Sequence, residues 1–568
     1  MDYLKSKENI LLHFLMVAIA IGFGFYSVHL GIDSENDSYN YHFYNGFAYL
    51  NNRTFTDLAP AGLHSYFNPF LDALVYLGIT NLPLKWYAFI VGFIQGLNVF
   101  PIYFIAKNIF KSFIINKLLI VVISLIGLLQ SLFLTQLGVS MHDSLTSLFV
   151  LICLSFFISY YPNNKILGFY FPSFLIGCVV GLKLTTATYG VSFGLIIFIY
   201  SIYHRNYKLV LYCALLMFGG FFVTNGWWMY KLWINFDNPF YPYFNHIFKS
   251  PLAVTDASAY IDEYFFRQKG LQKIFYPIFF SNEPGLASGY FGWPLHSFYK
   301  EVLAYLLSII IIFALSSKKW RKRRSSYLTF VICSFFIFCV ASYIIWYLKF
   351  GVLRYLMPVL LVCPIIIILS IMMLLIENNK IYSLPFVKEK WSRNTQKKVG
   401  FNVIFLFLTF VCVFLTYKDL KNGFPMDAHK PITDKPFILE NKLNDRDNNA
   451  SVYFITGTPR VWQAWVFPAL NLKGLAVPLK SGIFKYENDN LIKKRVSKVD
   501  EILMQQNSYA IVIRDLTGNG WISKATSDED TNNELKVYKL KLSSNCREYD
   551  SGFGSNIHRL KFCDLEPL

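Results

Sequence analysis

The chain has 568 residues, of which 54% are hydrophobic, 18% aromatic and only 15% charged. A soluble protein carries about a quarter charged residues, so an ordinary soluble globular enzyme is excluded. The formal net charge of +18 does not mark a nucleic-acid-binding surface either: much of the excess sits in short links such as KKWRKRR (318–324) and KEKWSRNTQKK (388–398), between apolar runs, where the positive-inside rule places it.

In chain order, the first apolar run reads as a membrane span at about 9–31 rather than a cleaved leader, because it is long and no small-residue cleavage site closes it. Lys5 and Lys7 put the N-terminus on the cytoplasmic side. An outer loop follows at 32–83. Its stretch NPFLDALVYLGI (68–79) is too short to cross a bilayer and reads as an interfacial helix. Further spans are expected at about 84–106, 117–137, 143–160, 166–182, 185–203 and 208–230. After a second outer loop at 231–299 come spans at about 300–316, 327–348, 355–376 and 400–417. This count of about eleven puts every basic cluster on one side; a span at 68–79 would flip all later loops.

The tail is not membrane-like. SVYFITG (451–457) and YAIVIRDL (509–516) read as buried strands, and ELKVYKLKL (534–542) alternates like a half-buried one. RVWQAWVFPAL (460–470) and KKRVSKVDEILMQQ (493–506) read as helices. The expected architecture is therefore a polytopic α-helical membrane protein: residues 1–417 form the membrane part and 418–568 an extracytoplasmic α/β domain. Seven cysteines lie in or beside apolar helices and read as packing residues, whereas Cys546 and Cys563, alone in the polar tail, are expected to form a disulfide.

Four features on the outer side could carry chemistry. In GIDSENDSYNYHFYNG (31–46), Asp33, Glu35 and Asp37 fall just after the first span, followed by Tyr41 and His42. A carboxylate there could act as a general base or bind a divalent cation; the plain alternative is a solvated acidic loop. No residue set has convincing metal-ligand spacing. His142-Asp143 opens the span at 143–160, where Asp143 suits a helix cap. Lys183 ends an apolar run, where it could simply snorkel, yet it lies on the side depleted of cations. Arg354, in the short link before the span at 355–376, is the same kind of exception, and its planar fork of donors suits a phosphate.

In their order and shared sidedness these features resemble the GT-C superfamily of membrane glycosyltransferases, on the branch of the protein O-mannosyltransferases and the lipid A aminoarabinose transferase. That branch carries an acidic motif after its first span, often Asp-Glu-x-x-Tyr; Asp37-Ser38-Tyr39-Asn40-Tyr41 stands there, with Ser38 in place of the second acid. The plan of residues 48–77, an Asp like Asp143, a lysine in register at Lys183 and Arg-Tyr-x-x-Pro at Arg354, Tyr355 and Pro358 complete the likeness, which covers roughly 1–420. The resemblance implies a sugar donor on a polyprenyl phosphate and inverting transfer outside the membrane. The acceptor would be a glycan, lipid or protein, and the cell envelope of a bacterial inner membrane the setting. Asp37 would take the acceptor proton, and Lys183 and Arg354 would meet the phosphate. His142 or Asp143 would orient the sugar, and Tyr41, His42, His64, Tyr66, Asn68 and Tyr355 would line the site. An oligosaccharide polymerase, a lipid-linked glycan flippase or transporter, and a non-enzymatic scaffold whose tail binds a partner are the rival readings. The polymerase would not usually carry a globular tail, and the flippase would bury its charges near mid-membrane.

Overall fold

The computed structural model describes residues 2–33, 35, 37–113, 115–161, 163–256, 303–304, 306–311, 326–377, 393–423, 429–440, 442–456, 464–479, 487–516, 527–553 and 556–568. Among them, seven helices are long and apolar enough to cross a membrane: Glu8–Leu30, Leu84–Ile109, Asp143–Tyr160, Leu184–Tyr203, Tyr207–Phe236, Phe330–Lys349 and Val399–Lys418. An eighth candidate is broken, with Leu353–Leu361 and Cys363–Leu374 meeting at 50°. Pro364 stands at this break, where a missing N–H and ring clash prevent a continuous helix.

The expected spans at 117–137 and 166–182 are represented by the shorter apolar helices Lys117–Leu128 and Ile166–Leu182. The first stops early because Gln130 is extended and its side chain accepts from Phe133 N, capping a new short helix, Ser131–Thr135. The expected span at 300–316 lies largely outside the described residues. Phe70–Asn81 has 12 residues, as the interfacial reading of this stretch requires.

Apolar side chains cover most of these helices, so close packing depends on small residues. Phe171–Leu182 lies directly on Tyr207–Phe236, and a Cβ at Gly177 or Gly220 would run into the backbone of Met217 or Phe174. This contact fixes the end of the shorter helix, and with it Lys183.

The tail folds around one six-stranded sheet. Its strands are β3 (Phe437–Leu439), β4 (Val452–Thr456), β5 (Leu475–Pro478), β6 (Ala510–Asp515), β7 (Leu540–Phe553) and β8 (Asn556–Pro567), in the order β3-β7-β8-β6-β4-β5. The β5, β4 and β6 strands are parallel, and β8, β7 and β3 add antiparallel neighbours. Helix Asp489–Leu503 covers one face through Val499.

The expected strand at 534–542 begins only at Leu540. Ser527 caps a helix over Asp528–Leu535, which continues as a tight turn through Tyr538. Leu535 and Tyr538 are both buried, a helical spacing of three. Lys539 then turns the chain in the left-handed region, at φ 58°. Cys546 and Cys563 face each other across β7 and β8 and are joined by a disulfide.

The tail is docked on the first loop. β1 (Ile32–Asp33) pairs antiparallel with β2 (His429–Lys430). Arg53 donates to the carbonyls of Leu472 and Gly474 at 2.6 Å each, and Leu58 N donates to Ala476 O at 3.0 Å. Trp465 N donates to Tyr39 O at 3.2 Å, and its ring meets Tyr39 edge-on. The sheet domain thus props up the same turn that carries Asp37.

Candidate functional site

The loop after the first span does not stay extended. Ser38–His42 forms a π-helical turn that runs on into Phe43–Leu50. Such turns re-aim side chains and recur at functional sites. Asp33, at the end of β1, anchors the turn. Its carboxylate accepts from Glu35 N at 2.9 Å, from Ser38 Oγ, and from Ser140 N and Oγ at 2.8 and 2.6 Å. It is 1% exposed and fully engaged.

Asp37 stands at the start of the turn and keeps 24% of its side chain exposed. Its Oδ2 accepts from Arg354 at 2.7 Å and from the Tyr41 hydroxyl at 3.3 Å. Arg354 is brought there by the tight turn Leu353–Leu356, which opens the broken span. Its Nε lies 3.4 Å from Asp143 Oδ2. Lys183 completes the chain of charges, with Nζ 2.6 Å from Asp143 Oδ1 and 2.6 Å from the Met141 carbonyl. The Tyr355 ring lies beside both cations, 5.3 Å from the guanidinium and 5.4 Å from Nζ. Two carboxylates and two cations from four separated segments therefore form one alternating row.

Asp143 is the first helical residue rather than the cap; His142 occupies the cap position, at φ 65°, with no side-chain capping bond. Its carboxylate is drawn away by Lys183 and Arg354, which outbid a backbone N–H for a buried charge.

Beside this row lies a second cluster. Asp72 Oδ1 is 2.6 Å from His42 Nδ1 and 2.8 Å from His142 Nε2, and its Oδ2 accepts from Asn45 at 3.2 Å. All four residues are buried. The three candidate ligand atoms lie within 4.8 Å of one another, and this is the group among the described residues that could hold a metal ion. His64 stacks on Tyr41, 4.6 Å between ring centroids, and joins the two clusters.

Burial would raise the Asp37 carboxyl, but the nearby Arg354, His42 and His64 and the Arg354 hydrogen bond outweigh it and hold the group below its ordinary range. Asp72 is likewise held down, its burial overcome by His42 and His142. Burial pushes His64 the other way, to about 4, so its ring is neutral at physiological pH.

Of the residues singled out from sequence, Asp37, Tyr41, Asp143, Lys183, Arg354 and Tyr355 share one row, and His42, His64 and His142 flank it. Tyr66 and Asn68 are turned elsewhere. Asn68 donates to the carbonyls of Gly181 and Thr224 and to Asn225, and the Tyr66 ring packs against Phe236 and Tyr241. Both fasten the loop to helix Tyr207–Phe236. Sequence reasoning passed over Asp72. The available signal was an acid inside an apolar run, FLDALVYL, where a charge needs a partner.

No family model and no curated protein matches the chain. Among solved structures, the crystal structure of ArnT from Cupriavidus metallidurans in the apo state is similar, with 12% sequence identity, a TM-score of 0.47 and coverage of 98% of each chain. The crystal structure of ArnT from Cupriavidus metallidurans bound to undecaprenyl phosphate gives 12% identity and a TM-score of 0.43, covering 97% of this chain and 98% of that chain.

Proposed function

We propose that this integral membrane protein is a glycosyltransferase. It moves a sugar from a polyprenyl-phosphate donor to an acceptor hydroxyl at the outer face, with inversion. Residues 1–417 are the catalytic membrane part, and 418–568 an extracytoplasmic domain that steadies the first loop. The observation that carries this reading is the single guanidinium of Arg354 set between Asp37 and Asp143, with Lys183 next to it, at the ends of apolar spans. A soluble substrate needs no such row at headgroup depth; a lipid phosphate does.

In the reaction the acceptor oxygen attacks the anomeric carbon as the bond from that carbon to the donor phosphate oxygen breaks. The acceptor proton goes to Asp37, and the bonding pair leaves with the polyprenyl phosphate. Arg354 and Lys183 meet the growing charge on the phosphate, an effect of a few kcal/mol for each well-placed donor in a water-poor site. One displacement inverts the anomeric centre.

The ion pair makes the base conditional. While Arg354 holds Asp37, its carboxylate is a weak base. A phosphate that draws Arg354 away releases that hold and raises the basicity of Asp37 when the donor is in place.

The test is transfer from a labelled polyprenyl-phosphate sugar by the purified full-length protein in lipid. A chain that binds no polyprenyl phosphate, or whose activity survives loss of Asp37, Arg354 and Lys183 together, rules the reading out.

A further inference from the structure

The row of charges leaves the neighbouring His–Asp–His cluster without a part in the reaction. We infer that His42, Asp72 and His142 hold one divalent transition-metal ion of the zinc class, with Asn45 orienting the carboxylate.

Two imidazole nitrogens and one carboxylate oxygen form the borderline ligand set that zinc and cobalt favour, and three protein ligands leave a fourth position for water. The nitrogens approach the same oxygen, Asp72 Oδ1, from two directions, with the rings at 82° and their centroids 4.9 Å apart. Around a tetrahedral zinc with bonds near 2.0–2.1 Å, such ligand atoms stand roughly 3.3 Å apart. The present oxygen–nitrogen separations of 2.6 and 2.8 Å are about half an ångström shorter than that, and the two nitrogens lie within 4.8 Å of each other. Asn45 Nδ2 on the other carboxylate oxygen is the kind of outer partner that fixes a ligating carboxylate.

Charge points the same way. Without a metal, each imidazole must give a proton to one buried oxygen, and the cluster keeps the full negative charge of Asp72. A divalent cation takes the place of those two N–H donors, whose protons move to the far ring nitrogens, and with one hydroxide in the fourth position it balances the Asp72 charge in a place where water reaches little of it. His142 also holds a left-handed backbone, unusual outside glycine, which the surrounding structure must over-determine. The ligands come from the π-helical turn, the interfacial helix and the start of the span at Asp143. Bound metal would therefore set the gap between Asp37 and Asp143 that Arg354 bridges, as a positioning device rather than a reactant.

The experiment uses the full-length protein in detergent, stripped with a chelator, then loaded with Co2+ or Zn2+ and desalted. We expect close to one ion per chain, a visible cobalt spectrum of a four- or five-coordinate site, and zinc X-ray absorption showing two histidines. His142→Gln keeps a donor toward Asp72 and should run as a monodisperse species with at least tenfold less retained metal; Asp72→Asn should lose it likewise. Wild-type protein that retains neither ion, or that retains as much as His142→Gln, overturns the proposal and leaves a hydrogen-bonded triad. Should both variants aggregate, the X-ray absorption of the wild type decides, and a spectrum without two imidazoles overturns it. None of these readings requires sugar transfer, so the site can fail while the proposed activity stands, and the reverse.

Discussion

Asp37 and Arg354 meet at 2.7 Å across 317 positions of sequence. The base candidate is thus half-buried against its own counterion, and the two side chains should fail differently when removed. Asp37→Asn keeps the shape and most hydrogen bonds but loses the basic oxygen. Transfer should fall by about 10²–10⁴-fold, the usual range for a general base. Binding of the donor, measured by titration with polyprenyl phosphate, should stay within a few-fold. Arg354→Ala should weaken both, because a phosphate partner acts in the ground state and the transition state. Normal transfer by Asp37→Asn would remove the base assignment.

Asp33 is equally acidic and four residues away, yet it should behave as a structural residue. Its carboxylate serves donors from Glu35, Ser38 and Ser140. Asp33→Asn puts an amide where an acceptor is needed and should cost about 1–3 kcal/mol. The expected sign is a lower unfolding temperature and poorer yield, with residual activity scaling with folded protein. A well-folded Asp33→Asn protein with no transfer would move the catalytic role to Asp33.

The sheet domain should weaken in acid. Burial would raise the Asp564 carboxyl, but hydrogen bonds from Arg547 and Arg446 hold it below its ordinary value. A carboxyl depressed in the folded state contributes stability above the unfolded value of about 3.9, and loses it as pH falls through the folded one. The domain's unfolding midpoint should therefore drop below about pH 4, and Arg547→Leu should flatten that drop. A midpoint independent of pH between about 2 and 5 would contradict this.

Reduction of the Cys546–Cys563 bridge should destabilise the sheet domain by roughly 2–4 kcal/mol and leave the membrane helices folded. Denaturant titration with and without reductant, followed by limited proteolysis within 418–568 and by helical circular dichroism, separates the two effects. Free thiols at both Cys546 and Cys563 in protein purified without reductant would exclude the bridge.

Much of this was legible beforehand for a simple reason. Long apolar runs and basic links are one-dimensional signals, so the spans at 9–31, 143–160 and 208–230 could be read from composition. Arg354 and Lys183 stood out because they break the charge rule. Breaks inside spans were less visible: Gln130 stops a helix through one side-chain hydrogen bond, which no hydropathy window registers. Lys536–Tyr538 alternates like a strand but turns like a helix, because Leu535 and Tyr538 both face the core. Asp72 was hidden because its meaning lies in two histidines, 30 and 70 residues away. Tyr66 and Asn68 sit in the right loop but point to its back, and direction is not written in position.

The two-residue pairing of β1 with β2 has a consequence for how the protein is made. Ile32 is translated well before its partner Lys430, which follows the membrane helix Val399–Lys418. The turn that carries Asp37 must therefore wait, with its edge open, until the helix Val399–Lys418 has been made. A chain broken off between Arg354 and His429 would carry every charged side chain of the row and still lack the strand that clasps it. The fold thus withholds its finished outer loop from copies that stop short of His429.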